Sequence, residues 1–116
     1  MKIYISGKIT GLEYDEAFAA FTEAADWIRC NGHQAVNPMD IVKEQEGKSW
    51  IEYICEDLAI LNDCEAIFLL HNWQDSKGAR LEKAFMEILG RPVLYQETPL
   101  PMIVDELTPI EVAATL

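Results

Sequence analysis

The chain predicts a three-layer α/β fold, a parallel sheet with helices on both faces. Three observations predict it. Short apolar runs alternate with longer segments of helical periodicity in the order βαβαβαβ. The run Ala66-Ile67-Phe68-Leu69-Leu70 is uniformly apolar and bounded by turn residues, as a strand buried on both faces would be. Finally, 116 residues, half of them hydrophobic, suit one domain with one core.

Lys2 to Ser6 reads as the first strand, closed by Gly7-Lys8-Ile9-Thr10-Gly11. A helix follows from about Tyr14 to Asn31, because Ala17, Phe18, Phe21, Ala24, Ala25 and Ile28 recur at helical spacing and Asn31-Gly32 supplies a stop. Gln34 to Val36 is a weak second strand ended by Asn37-Pro38. A polar, mobile-looking connection carries Lys43 to Lys48. Ser49 then reads as an N-cap, with Glu52 completing a capping box. The helix from Trp50 to Asn62 places Ile51, Ile54, Cys55, Leu58 and Leu61 near one face. Ala66 to Leu70 is the third strand. The next helix, Ala79 to Leu89, offers Leu81, Ala84, Phe85 and Ile88 as its buried stripe, and Gly90-Arg91-Pro92 ends it. Pro92 to Tyr95 is the fourth strand. Residues 1–96 thus form one α/β domain. Residues 97–116 form a proline-punctuated tail whose apolar residues suit packing on a neighbouring subunit.

Twenty acidic against nine basic side chains give a net charge of −11. Such a surface repels polyanions, which excludes duplex DNA, RNA and anionic membrane as expected partners. A small anionic ligand remains compatible, since local donors override the global field. Cys30, Cys55 and Cys64 are odd in number and lack metal-ligand spacing. Cys30 and Cys55 read as small hydrophobes on helices, in a reduced compartment. The opening Met1-Lys2-Ile3-Tyr4-Ile5-Ser6 lacks signal-peptide form, and no apolar run approaches a membrane span. The expected location is therefore cytoplasmic.

The stretch Asp75-Ser76-Lys77-Gly78-Ala79-Arg80-Leu81-Glu82 follows the third strand and opens a helix. Ligands of open parallel sheets bind beyond the carboxyl ends of the strands, so this stretch lies where a reaction centre belongs. Ser76 can cap the helix or donate to a ligand, Gly78 lets the chain turn into the helix, and Glu82 stands one position off the Leu81/Phe85/Ile88 stripe. Taken alone, a glutamate in a helix's first turn is common and favoured by the macrodipole. Asp57 belongs to an acidic stretch with Glu52, Glu56 and Asp63. It gains interest only if its helix faces the same cleft, where paired carboxylates divide nucleophile and proton-handling roles. The first turn, Ser6 to Gly11, offers backbone amides for phosphate or sugar oxygens but fits neither the dinucleotide fingerprint nor a P-loop. Lys8, Lys77 and Arg80 gather in these two turns and hint at an anion site. Trp73 is placed to stack on a nucleobase, whereas Trp27 and Trp50 read as core. His33 and His71 lack partners at metal or triad spacing, and no nucleophile-elbow motif is present.

Three segments together resemble the nucleoside 2-deoxyribosyltransferase-like superfamily, including a small bacterial and phage branch and the deoxynucleoside 5′-monophosphate N-glycosidases. They are Tyr4-Ile5-Ser6-Gly7-Lys8-Ile9-Thr10-Gly11, then Glu56-Asp57-Leu58 before Asp63, then Ser76-Lys77-Gly78-Ala79-Arg80-Leu81-Glu82 running into Gly90-Arg91-Pro92-Val93. The resemblance covers residues 1 to about 96. It implies a flavodoxin-like or Rossmann-like fold with four to five parallel strands, assembled as a homodimer or higher homo-oligomer. No cofactor or metal is implied. It makes Glu82 the nucleophile, with Asp57 and Tyr4 as further catalytic residues. Ser6, Gly7, Lys8, Ile9, Asp75, Ser76 and Gly78 would hold a small-molecule nucleoside or nucleotide. Thr10 stands where the N-glycosidase branch carries an arginine that helps hold the 5′-phosphate. The implied chemistry is cleavage or transfer at an N-glycosidic bond, with water or a second base as acceptor. The alternative is a non-catalytic nucleotide-binding or sensing module, since fold does not fix function.

Overall fold

The computed structural model describes residues 1–41 and 47–97 of the chain. The expected tail packing, and most of the polar connection before Ser49, lie outside the described residues. Four strands form one parallel sheet: β1 (Lys2–Ser6), β2 (Gln34–Val36), β3 (Ala66–Leu69) and β4 (Val93–Tyr95). Their order is β2-β1-β3-β4. Ile3 pairs with Ala35 on one side and Ala66 on the other, and Phe68 pairs with Leu94. Helix α1 (Tyr14–Cys30) covers one face, and α3 (Trp50–Asn62) and α4 (Lys77–Ile88) serve the other. A four-residue α2 (Pro38–Ile41) and a single 3-10 turn (Trp73–Asp75) complete the described elements. This is the flavodoxin-like α/β fold expected, with four strands among the described residues.

The period-two alternation of a strand divides the core in two. Ile3, Ile5, Ala66 and Phe68 pack with Phe21, Ala24, Ala25 and Ile28 of α1. Tyr4, Ile67 and Leu69 pack on the opposite side with Leu61 of α3 and Met86 of α4. The chain leaves β1 toward β2 on one side, then returns to pair β3 on the other. The crevice between the carboxyl ends of β1 and β3 is therefore the topological switch point, where open α/β sheets bind ligands.

Several expected faces are corrected. α4 buries Ala79, Glu82 and Met86. In the expected stripe, Leu81 and Ile88 are exposed, Ala84 is exposed and Phe85 is half-buried. The helix turns its charged-looking edge inward because hydroxyls on the sheet satisfy Glu82 there. Ile51 and Cys55 of α3 are likewise exposed. Trp27 and Trp50 are each 50% exposed rather than core, because the sheet's short strands are already covered by smaller residues of the same helices. Cys30 is exposed too, and Cys64 is the buried cysteine.

Gly7 is fixed by close approach. A Cβ there would lie 2.6 Å from Leu70 Cδ1 and 2.9 Å from Leu70 Cβ. Leu70 is itself core. Gly7→Ala should therefore cost about 1–3 kcal/mol in urea unfolding, the usual penalty of overpacking. The double variant with Leu70→Ala should lose less than the sum of the two single losses, because the contact with Cδ1 is gone while that with Cβ remains.

Candidate active site

The site begins with two side chains of one strand. Tyr4 and Ser6 are two residues apart on β1 and so point to the same face, toward α4. Tyr4 Oη donates to Glu82 Oε2 at 2.6 Å, and Ser6 Oγ donates to Glu82 Oε1 at 2.7 Å. Each carboxylate oxygen thus has one donor, and Glu82 is only 5% exposed. Ser6, expected among the ligand-holding residues, directs its hydroxyl at Glu82. Ser76 caps α4, its Oγ accepting from the Ala79 amide at 3.1 Å. The helix thereby starts at Lys77, two residues earlier than expected, and Glu82 falls in its second turn.

Asp57 lies on α3 and is half-buried. Its Oδ1 is buried with no hydrogen-bond partner among the described residues. Its charge raises the pKa of both Glu82 and Tyr4, so the two acids do share one electrostatic neighbourhood. Lys48 joins them, a residue that sequence reasoning assigned to a polar, mobile-looking connection. Its side chain is only 9% exposed, and its Nζ bonds the Glu56 carboxylate at 2.5 Å and lies 4.8 Å from the centre of the Tyr53 ring. The sequence signal was a lysine directly before an N-cap serine, close in the chain to Glu56 and Asp57.

The first turn is tied to the turn after β3 by the Lys8 amide, which donates to Asn72 Oδ1 at 2.9 Å. Asn72 was also missed, although an asparagine just after a strand commonly makes such a contact. Ile9 and Asp75 are exposed. Lys77 and Arg80 are exposed on α4. Trp73 is half-buried against Tyr95, ring centroids 6.1 Å apart, with Lys83 Nζ 5.3 Å from its ring. That face is already occupied within the chain. Two surface hollows of about 370 and 320 Å³ lie at the β2 edge and beside Trp27, and neither is lined by Glu82. The strand-end constellation of Tyr4, Ser6 and Glu82 therefore lies apart from both hollows.

Gly78 is helical and not a turn residue. A Cβ there would meet Ile54 Cδ1 at 3.5 Å, an ordinary contact. Neither turning nor packing therefore demands glycine. First-turn amides such as those of Lys77 and Gly78 have no intrahelical acceptor and remain available to a ligand.

Burial pushes Glu82 up to about 7, the Tyr4 and Ser6 hydrogen bonds oppose the rise, and the Asp57 charge adds to it. Burial pushes Asp57 up to about 6, with Glu56 adding and Lys48 opposing. Tyr4 is raised well above the usual phenol range by burial, then by Glu82 and Asp57. A carboxylate whose pKa is raised on folding binds more protons folded than unfolded. Its stabilisation is complete below the unfolded pKa and is lost as pH rises through the folded one. For Glu82 that window runs from 4.5 to about 7. The loss is on the order of 3 kcal/mol.

A family model for a domain of unknown function, DUF4406, matches residues 1–95. The chain belongs to the DUF4406 family. Among solved structures, this DUF4406 chain is similar to the 2-deoxyribosyltransferase of the psychrotolerant bacterium Bacillus psychrosaccharolyticus, with a TM-score of 0.62 and 25% sequence identity. The match covers 92% of this chain and 82% of that one. That enzyme is described as a biocatalyst for the synthesis of antiviral and antitumoral nucleosides. The likeness supports the superfamily that the three sequence segments suggested. A comparison with curated proteins finds no match. No helix among the described residues is long and apolar enough to cross a membrane.

Proposed function

We propose that this chain cleaves or transfers at the N-glycosidic bond of a (deoxy)nucleoside or its 5′-monophosphate, with Glu82 as nucleophile. The observation that carries the proposal is the buried Glu82 carboxylate, each oxygen fixed by one hydroxyl of β1. Similarity to a 2-deoxyribosyltransferase supports the substrate class. Glu82 attacks the anomeric carbon as the bond to the base breaks, forming a glycosyl-enzyme ester. The departing base takes a proton from Asp57. Water then releases the sugar, or a second base accepts it, and Asp57 recovers the proton.

The pair needs one proton between them. The reactive form has Glu82 ionised and Asp57 protonated. Tyr4 and Ser6 both donate to Glu82, which favours its anion. With Glu82 pushed up to about 7 and Asp57 to about 6, it is nevertheless the minority singly protonated form of the pair. Base release should follow a bell-shaped pH profile with its maximum between about 6 and 7. It falls on the acid side as Glu82 protonates and on the alkaline side as the pair loses its last proton. A flat profile across this interval would contradict the assignment.

Gly78→Ala offers a second check. Removing a glycine from a helix should stabilise the fold by about 0.5–1 kcal/mol. The added methyl should nevertheless raise KM if the first-turn amides of α4 hold the sugar or phosphate. A gain in Tm with unchanged KM would remove Gly78 from the binding residues.

The deciding experiment is incubation with a panel of nucleosides and 5′-monophosphates, with and without a second free base, followed by chromatography. Free base in the single-substrate reactions indicates a hydrolase, and a new nucleoside indicates a transferase. Thermal stabilisation by panel members without any base release would overturn catalysis in favour of a nucleotide-binding module.

A further inference from the structure

Parallel sheets occur with both faces covered. α3 and α4 serve one face of this sheet. Among the described residues the other face has α1, with Met39 of the short α2 beside it. α1 lies over β1 and β2, so the same side of β3 and β4 stays open. The hollow of about 320 Å³ beside Trp27 occupies that opening. Ala24, Trp27 and Cys30 of α1 line one side of it, and Phe68 of β3 and Gln96 line the rest. Leu94, which faces this side from β4, is only half-buried.

The described chain leaves the sheet at the rim of this hollow. Gln96 is held there twice, its amide donating to Leu69 O at 2.9 Å and its Oε1 accepting from the His71 amide at 2.8 Å. Residues 98–116 continue from that point. The part of α1 that borders the hollow, Glu23 to Cys30, is about 10 Å long at the helical rise, a distance that a few extended residues span. In Thr108-Pro109-Ile110-Glu111 the sequence has the form of a helix start, with Thr108 as N-cap, proline at the first helical position and Glu111 completing a capping box. Beyond it Ile110, Val112, Ala113, Ala114 and Leu116 are apolar, and the polar Glu111 and Thr115 stand four apart, on one helix face. A helix with so narrow a polar stripe calls for burial.

We propose that residues 98–116 fold back in cis onto the open side of β3 and β4, seating the apolar face that begins at Ile110 on Ala24, Trp27 and Leu94. Docking covers the part of the Trp27 ring that the described residues leave exposed, and with it the Cys30 thiol. Glu111 and Thr115 face outward. Glu23 and Asp26 make the rim acidic, which repels a free copy of so acidic a chain. The tether offsets that repulsion for the chain's own segment by holding it at an effective concentration in the roughly millimolar range. The proposal rests on this face and on the chain's exit beside it, not on the activity reading.

Replacing Trp27 by p-benzoylphenylalanine in the purified full chain tests the contact directly. After irradiation, mass spectrometry should find position 27 bonded to a peptide from residues 98–116. Natural-abundance and heavy-nitrogen chains are mixed beforehand. Links uniform in isotope support docking in cis, whereas links of mixed isotope reveal a second copy and overturn it. Absence of any link to residues 98–116 overturns it as well. Cys30 gives an independent readout. In a Cys55→Ser background, with Cys64 buried, a neutral disulfide reagent reports the Cys30 thiol. Ile110→Asp/Val112→Asp should speed that reaction about tenfold or more, as loss of a local closed state does, with an unchanged far-UV circular dichroism spectrum. Equal Cys30 rates with and without the two replacements would overturn the docking, even if the Trp27 variant misfolds.

Discussion

Glu82→Gln should lower base release by at least about 10⁴-fold, the scale seen when a nucleophile is removed while the rest of a site remains. Glutamine keeps the shape of the side chain and an oxygen for one of the β1 hydroxyls, but it cannot form the glycosyl ester. The same substitution should stabilise the fold at alkaline pH, because the buried charge at Glu82 is what folding disfavours. Relative to wild type, the variant should gain on the order of 10 °C in Tm between pH 5 and pH 8, from the ~3 kcal/mol linkage of this one group. The wild-type minus variant difference is the quantity to follow, since the other carboxylates titrate in both proteins. A mechanism-based probe adds an independent reading. A 2-fluoro-2-deoxy nucleoside slows breakdown of the ester, and mass spectrometry should find the sugar on the peptide containing Glu82. Undiminished turnover of Glu82→Gln, or a sugar on another peptide, would remove the nucleophile assignment.

Asp57→Asn should lower release of unactivated bases by ~10²–10⁴-fold, the usual contribution of a positioned acid. A base that departs readily without protonation should lose far less, because it does not need the proton Asp57 supplies. That contrast separates proton donation from a structural role, which would depress all substrates alike. Stability should change little or rise, since Oδ1 of Asp57 has no hydrogen bond to lose among the described residues. An equal loss for activated and unactivated substrates would leave Asp57 as a positioning residue only.

Much of this architecture is readable along the chain. Strand and helix segments follow from periodicity, and β1, β2 and α3 begin and end where the apolar pattern and the Ser49 cap place them. The family-like segments pointed to Tyr4, Asp57 and Glu82, and the fold draws all three into one neighbourhood. The faces of the outer helices were not readable. In α4 the stripe Leu81/Ala84/Phe85/Ile88 carries the stronger apolar period, so it reads as the core face. Only the presence of Tyr4 and Ser6 hydroxyls on the facing sheet makes burial of Glu82 less costly than its exposure. Lys48 was illegible for a related reason. A lysine in a polar connection reads as solvated until Glu56 and the Tyr53 ring are seen to enclose it.

The sequence by itself determined the α/β order, the strand-end position of the Ser76 to Glu82 stretch, and a net charge of −11. These depend on local periodicity, turn chemistry and net charge, all of which are properties of the chain. The tertiary structure alone decided that Glu82 faces inward, that Ser6 is its hydrogen-bond donor, and that Trp27 and Trp50 face solvent. Such features depend on which polar groups meet across elements dozens of residues apart, where satisfying one buried carboxylate outweighs a helix's own apolar pattern.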